Sequence, residues 1–252
     1  MMYAMETKKI INKTILSLLE VDSLSYTKRW QSVEIENSMK ELTNLFFTME
    51  VCNSLEDLAD QTFADLPWAE DHFKERISGA TNPGKEYLNW PYYRPDLDDN
   101  RFRKDGKFSH TYQERFWPTK TKGIRYEMGD WEDVVSRFVN DVTTRQCFLS
   151  IWHPEDQSNN GVRLPCTIGY WFKLVGDKVD LTYLIRSCDA RRHFRNDIYM
   201  AQRLLMEMGN HLQKNDLNLE LGSLHVWIGS FHCFESDVYT LKRTLKQCAD
   251  FQ

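Results

Sequence analysis

Two short stretches of this sequence hold residue types that do covalent chemistry. Cys166 stands in Leu164-Pro165-Cys166-Thr167, at the head of the apolar run CTIGYWFKLV. Arg186 and Ser187 close the next run, KVDLTYLIRS. Gly176-Asp177 between them is a two-residue hairpin signal, so the runs should pair antiparallel and bring the start of one beside the end of the other. That puts a thiol next to a fixed cation, which favours thiolate and makes a cysteine a nucleophile. Arg186 with Ser187 also makes an anion grip, because a guanidinium fork binds phosphate oxygens in pairs. The stretch from Arg186 to Asp197, RSCDARRHFRND, is dense in fixed charge. Asp189 and Asp197 lie within it, and Asp197 reads as the N-cap of the helix that follows. Arg191, Arg192 and Arg195 read as solvated or partner-facing.

The elements that must position these residues follow from periodicity. Val179, Leu181, Tyr183 and Ile185 alternate, so they share one face of a strand that ends at Arg186. CFLSIW (147–152) and LGSLHVWI (221–228) read as further strands. Residues 6–20 read as a helix. Trp131, Val134, Val135, Phe138 and Val139 mark another, capped by Asp130. Ala201, Leu204, Leu205 and Met208 stripe the helix after Asp197, and Val238, Leu241, Leu245 and Cys248 the last one. Residues 82–123 read as a long irregular segment rich in Pro, Asp, Lys and aromatics, ordered and functional. Strands and helices mix without regular alternation, which predicts an α+β fold with a large mixed or mainly antiparallel sheet flanked by helices, in a single domain over 1–252. There is no glycine-rich phosphate loop and no helix with two metal-spaced histidines, so no metal is expected.

Charge narrows the partners. The 252 residues carry 32 basic and 37 acidic side chains, a net charge of -5. A general nucleic-acid or anionic-membrane binder needs a basic face, so neither is expected. No run is long enough to cross a bilayer, and the first residues lack an apolar leader. Six scattered cysteines without metal-ligand spacing read as reduced thiols, and the expected location is the cytoplasm.

The order Pro165-Cys166, Arg186-Ser187-Cys188-Asp189 and Phe194-Arg195-Asn196-Asp197 resembles the thymidylate synthase family, and within it the phage deoxycytidylate hydroxymethylases. The resemblance covers residues 60–235, with nothing matched in 1–55. It implies a thymidylate synthase-like fold, with Cys166 as nucleophile. Arg186 and Ser187 would hold the nucleotide phosphate, and Asp189 the folate side. Asp197 takes the base-reading position, where members that act on uracil carry asparagine and those that act on cytosine carry aspartate. The run Gly222-Ser223-Leu224-His225-Val226 implies that His225 contacts the sugar. TTRQCFLSIWHP maps Arg145 as the arginine that reaches a neighbour's phosphate across a homodimer. FADLPW places Asp65 at the catalytic glutamate position, and SHTYQERFW suggests Tyr112 as the active-site tyrosine. Gln146, His193 and Trp227 depart from the family pattern.

The activity so implied is one-carbon transfer from methylenetetrahydrofolate, a co-substrate, to carbon five of a pyrimidine nucleoside monophosphate through a covalent cysteine adduct. Aspartate at 197 favours hydroxymethylation of dCMP. The alternatives are a methylating synthase of thymidylate type and a non-catalytic nucleotide-binding protein on the same fold.

Overall fold

A computed structural model describes residues 6–23, 29–30, 33–34, 38–80, 84–93, 103–104, 107–108, 110–118, 130–158 and 164–249. Its centre is a five-stranded sheet. The strands are β1 (Met39–Glu50), β2 (Phe148–Ser150), β3 (Thr167–Val175), β4 (Lys178–Asp189) and β5 (Glu220–Phe234), in spatial order β1-β5-β4-β3-β2. β4 and β5 run parallel and every other neighbouring pair antiparallel, so the sheet is mixed, as the sequence predicts. A parallel pair needs a crossover, and the long helix α7 (Phe194–Lys214) supplies it. The other helices are α1 (Thr7–Glu20), α2 (Leu55–Thr62), α3 (Trp68–Ile77), α4 (Lys85–Leu88), α5 (Tyr112–Phe116), α6 (Trp131–Asn140) and α8 (Glu235–Ala249). Two-residue ladders join Arg29–Trp30 to Val33–Glu34 and Arg103–Lys104 to Lys107–Phe108.

The β3–β4 hairpin turns at Gly176-Asp177, where Gly176 takes φ +66, a left-handed angle that glycine adopts without a Cβ clash. Val179, Leu181, Tyr183 and Ile185 are buried, and the register sets Val226 and Ile228 of β5 beside Tyr183 and Ile185. The predicted α7 stripe of Ala201, Leu204, Leu205 and Met208 is buried too. Each fully buried large side chain contributes about 1.5–3 kcal/mol. Asp130 caps α6 with a reciprocal box, accepting from the Glu132 and Asp133 amides. In the last helix Leu241 and Leu245 are buried, while the side chain of Cys248 lies outside the described residues.

Three expectations are corrected. The strand read over 147–152 is shorter, Phe148–Ser150. The segment 82–123 is not irregular throughout, since α4 and α5 fall inside it, and much of the remainder lies outside the described residues. Asp197 is not an N-cap. α7 begins three residues earlier at Phe194, and the Asp197 amide already donates to the His193 carbonyl.

A second departure from simple alternation matters for the site. In β4 the buried series stops at Ile185, and Arg186 and Ser187 are then both half-exposed before Cys188 is buried. The parallel ladder skips Arg186 and its neighbour Gly229 on β5. A Cβ at Gly229 would stand 2.9 Å from the Arg186 carbonyl, so only glycine permits this approach. Two consecutive residues, Arg186 and Ser187, thus keep access to solvent at this end of the strand.

Candidate active site

The cysteine and arginine meet as the hairpin requires. Cys166 stands directly before β3, and the Arg186 amide donates to its carbonyl at 2.8 Å. The guanidinium ties down the loop that carries the thiol. Its Nε donates to the Pro165 carbonyl at 2.8 Å and its Nη2 to the Leu164 carbonyl at 3.1 Å, and it lies over the Trp152 ring. Cys166 is half-buried, whereas Cys52, Cys147, Cys188 and Cys233 are buried. Burial pushes the thiols of Cys52, Cys147 and Cys233 up to about 12 and that of Cys188 well above its ordinary value. Those four are poor nucleophiles near neutral pH.

Cys166, Tyr112, Ser187 and Asp197 line one cavity, of about 30 Å³. Thr111 and Glu114 form a capping box that starts α5 at Tyr112 and so fixes where the phenol points. The Tyr112 hydroxyl receives hydrogen bonds from the Thr167 amide and the Thr167 hydroxyl, each at 3.4 Å. Burial, and then the charge of Cys166, raise its pKa, so it remains a neutral phenol able to donate. Asp197 reaches the cavity from the first turn of α7, with the Cys188 thiol 3.8 Å from its Oδ2.

The remaining wall is aromatic. Trp68, His72 and Arg76 recur at intervals of four along α3, so one stripe of that helix faces the cavity. The His72 ring stacks on Trp68 at 5.0 Å, and the His193 ring stacks on Trp90 at 4.9 Å with the planes 13° apart. His193, one of the departures from the family pattern, thus finds its partner in Trp90. The Arg76 guanidinium lies 4.1 Å from the Tyr112 ring centroid. Sequence reading passed over Arg76; its signal was Trp-x3-His-x3-Arg on one face of a helix.

Other predicted residues lie at various distances from this centre. Asp65 is held by Asn196 in a reciprocal pair: its amide donates to Asn196 Oδ1, and Asn196 Nδ2 donates to Asp65 Oδ2, both at 2.8 Å. Asp65 therefore hangs on the residue next to Asp197. Asp189 is buried and accepts from the Arg191 and Arg192 amides and from Arg192 Nη1. Burial alone would raise its pKa, but Arg192, His232 and His193 outweigh it and hold it below the usual carboxylate value. Arg192 also pairs with Asp237 at 2.6 Å, so it is structural in this chain. Arg145 is exposed just before β2.

His225 is not brought to the cavity. It alternates with buried Leu224 and Val226, so it faces away from the Tyr183 side, and its ring lies within hydrogen-bond distance of Thr48 and Asp180. The parallel register levels it with Thr182, five residues before Ser187, or roughly 17 Å along the strand. The same pattern recurs at Gly229-Ser230-Phe231-His232, which pairs Ser230 with Ser187 and His232 with Asp189. His232 is buried, and burial lowers its pKa against the pull of Asp189 and Glu41. Of the two histidines it is His232 that stands at the Cys166 end of the sheet. A search for every Gly-Ser-x-His run would have found it.

No group of three or more metal-binding side chains occurs among the described residues, and no described helix is long and apolar enough to cross a membrane.

A family model described as thymidylate synthase matches residues 27–250. The chain belongs to the thymidylate synthase family. The match begins upstream of residue 55, further toward the N-terminus than the motifs reach. A protein of Methanococcoides burtonii, provisionally named a thymidylate synthase, is 26% identical over 141 residues, which is 55% of this chain and 59% of that protein. The alignment thus spans under two thirds of that relative. Thermostable thymidylate synthase A from Bacillus subtilis superposes with a TM-score of 0.66 at 16% identity, over 95% of this chain and 84% of that one. The five-stranded mixed sheet with flanking helices is the thymidylate synthase fold.

Proposed function

We propose that this chain is a one-carbon transferase that hydroxymethylates carbon five of a cytidine monophosphate, dCMP in preference to CMP, with methylenetetrahydrofolate as co-substrate. The observation that carries the reading is Asp197 on the wall of the cavity that Cys166 and Tyr112 also line. Cytosine presents a donor amino group beside an acceptor ring nitrogen. A carboxylate accepts from the amino group, and in its protonated form donates to the ring nitrogen. Asparagine suits uracil instead.

In this reading the sulfur of Cys166 bonds carbon six, and the electron pair of the ring double bond moves toward carbon five. Bound folate supplies the one-carbon unit at that carbon. Loss of the carbon-five proton and cleavage of the bond between the transferred carbon and the folate nitrogen leave an exocyclic methylene and tetrahydrofolate. Water adds to that methylene, and the Cys166 sulfur departs as the ring double bond re-forms. Tyr112, a buried neutral phenol, holds or delivers protons beside the sulfur. Asp65, pinned by Asn196, organises water. Arg186 and Ser187 take the phosphate, and Arg186 also steadies the cysteine loop. The flat faces of Trp68 and Trp90 on the cavity wall suit a conjugated pterin ring, and Asp189, which the resemblance assigns to the folate side, fixes the turn through the Arg191 and Arg192 amides. We assign the sugar contact to His232 rather than His225, because His232 pairs with Asp189 at the Cys166 end of the sheet.

A homodimer fits the same reading. Phe46, 55% exposed, shares with Trp227 and His225 the sheet face turned away from the core, and Arg145, which the family resemblance assigns to a neighbour's phosphate, is exposed. The second reading is a non-catalytic nucleotide-binding protein, favoured by the His193 ring that closes on Trp90.

The test is mass spectrometry of dCMP, CMP and dUMP after incubation with the protein and methylenetetrahydrofolate. Hydroxymethylated dCMP is expected. A methylated product would mean that hydride ends the reaction, and three unchanged nucleotides would refute the enzyme reading.

A further inference from the structure

Arg76 is 4% exposed, and its Nε has no hydrogen-bond partner among the described residues. Buried polar atoms in native proteins are nearly always paired, and a buried charge left without hydrogen bonds is costly. The guanidinium is held by the face of Tyr112 and by the attraction of Asp197, and it lines the cavity with both. The unpartnered Nε thus belongs to a side chain on the wall of the cavity where a ligand would lie. A phosphate dianion does not suit the position, because Asp197 would repel it and a single cation would have to replace its hydration. A flat ring edge with acceptor atoms does suit a narrow, aromatic-walled slot.

We infer that Arg76 is a base-facing cation: it donates to an acceptor on the pyrimidine ring and stabilises the negative charge the ring gains when Cys166 adds. This inference rests on the function proposed above. The sulfur gives its electron pair to carbon six, and the displaced ring pair moves onto carbon five and the ring acceptors. The guanidinium keeps its proton throughout. The thiolate's unit of negative charge is thereby carried onto the ring, in a site that already contains a carboxylate. A guanidinium fixed in place before the reaction offsets both in a medium that screens poorly.

The test compares Arg76→Met and Arg76→Lys with the wild type in three measurements: thermal unfolding with and without dCMP, equilibrium binding of dCMP, and kcat and KM for the product. Methionine retains packing against Tyr112 and removes a buried charge that had no hydrogen bond at Nε. Arg76→Met is expected to unfold at or above the wild-type temperature and to lose most of the dCMP-induced rise. Its kcat/KM should fall roughly 10- to 100-fold, the scale of one hydrogen bond to a charged group. Arg76→Lys should recover part of that loss. Wild-type turnover with Arg76→Met turnover unchanged would overturn the inference and leave the enzyme reading standing. Wild-type dCMP binding that Arg76→Met loses, with no turnover in either, would refute the enzyme reading and support the ligand-facing role. A lowered unfolding temperature with an undiminished dCMP-induced rise would show that Arg76 is structural and overturn the inference.

Discussion

Asp197→Asn is the substitution that bears most directly on substrate choice. The change is nearly isosteric and turns one acceptor oxygen into a donor. The α7 bond from the Asp197 amide to the His193 carbonyl is untouched, and the Cys188 thiol contact at 3.8 Å is weak. Losing the carboxylate's attraction for the buried Arg76 should cost about 1–3 kcal/mol of stability, which thermal unfolding reads directly. Binding is another matter. An amide held with its NH2 toward the uracil carbonyl and its oxygen toward the ring N–H matches both positions of uracil; in that orientation it meets cytosine donor to donor and acceptor to acceptor. Two hydrogen bonds change sense, and each buried donor or acceptor left unpaired costs about 1–3 kcal/mol. The dCMP-to-dUMP preference should move by about 2–6 kcal/mol, or roughly 30- to 10⁴-fold in the ratio of kcat/KM values. The assay is turnover of the two nucleotides in competition, read by product mass. If the Asp197→Asn protein folds normally and keeps the wild-type ratio, Asp197 does not read the base.

Other substitutions test the rest of the site. Cys166→Ser should lower turnover by at least about 10³-fold, since a hydroxyl is a far weaker nucleophile, while dCMP still raises the unfolding temperature. His232→Ala should weaken dCMP binding roughly 10-fold, whereas His225→Ala should change it less than about 2-fold; titration calorimetry separates them. Asp189 has a lowered folded-state pKa, so its stabilisation is present above the ordinary carboxylate value of 3.8 and is lost as pH falls through the lower folded value. Urea unfolding across acidic pH should show wild-type stability falling below about pH 4 more steeply than that of Asp189→Asn. At neutral pH Asp189→Asn should be less stable by about 1–3 kcal/mol.

Much of this was legible in the residues because it was local. The hairpin about Gly176-Asp177 fixed which strand ends meet, and hence that Cys166 and Arg186 are neighbours. The stripes of α6 and α7 showed their buried faces. What was not legible depended on distant partners or on where a pattern breaks. Asp197 looks like a cap because its side chain suits one, but helix start is decided by where the chain leaves β4, and Phe194 finds a packing partner in Phe231. His225 and His232 carry the same local signature, and only pairing with β4 shows which one reaches the site. Arg76 carries only the weak signal of its spacing from Trp68 and His72, because an arginine near the end of a helix reads as solvated; it is buried beneath the Tyr112 ring of α5.

Asn196 sits between the two carboxylates that the chemistry invokes. It belongs to the same helical turn as Asp197, and it grips Asp65 through both its amide and its carboxylate. The two acids are therefore not independent parts. A shift of α7 that repositions one must carry the other, and substitutions at 65 and 197 should show coupled rather than additive effects in a double-mutant cycle. Replacing Asn196 would cut that linkage, so an Asn196 variant is the background in which the two positions can first vary separately.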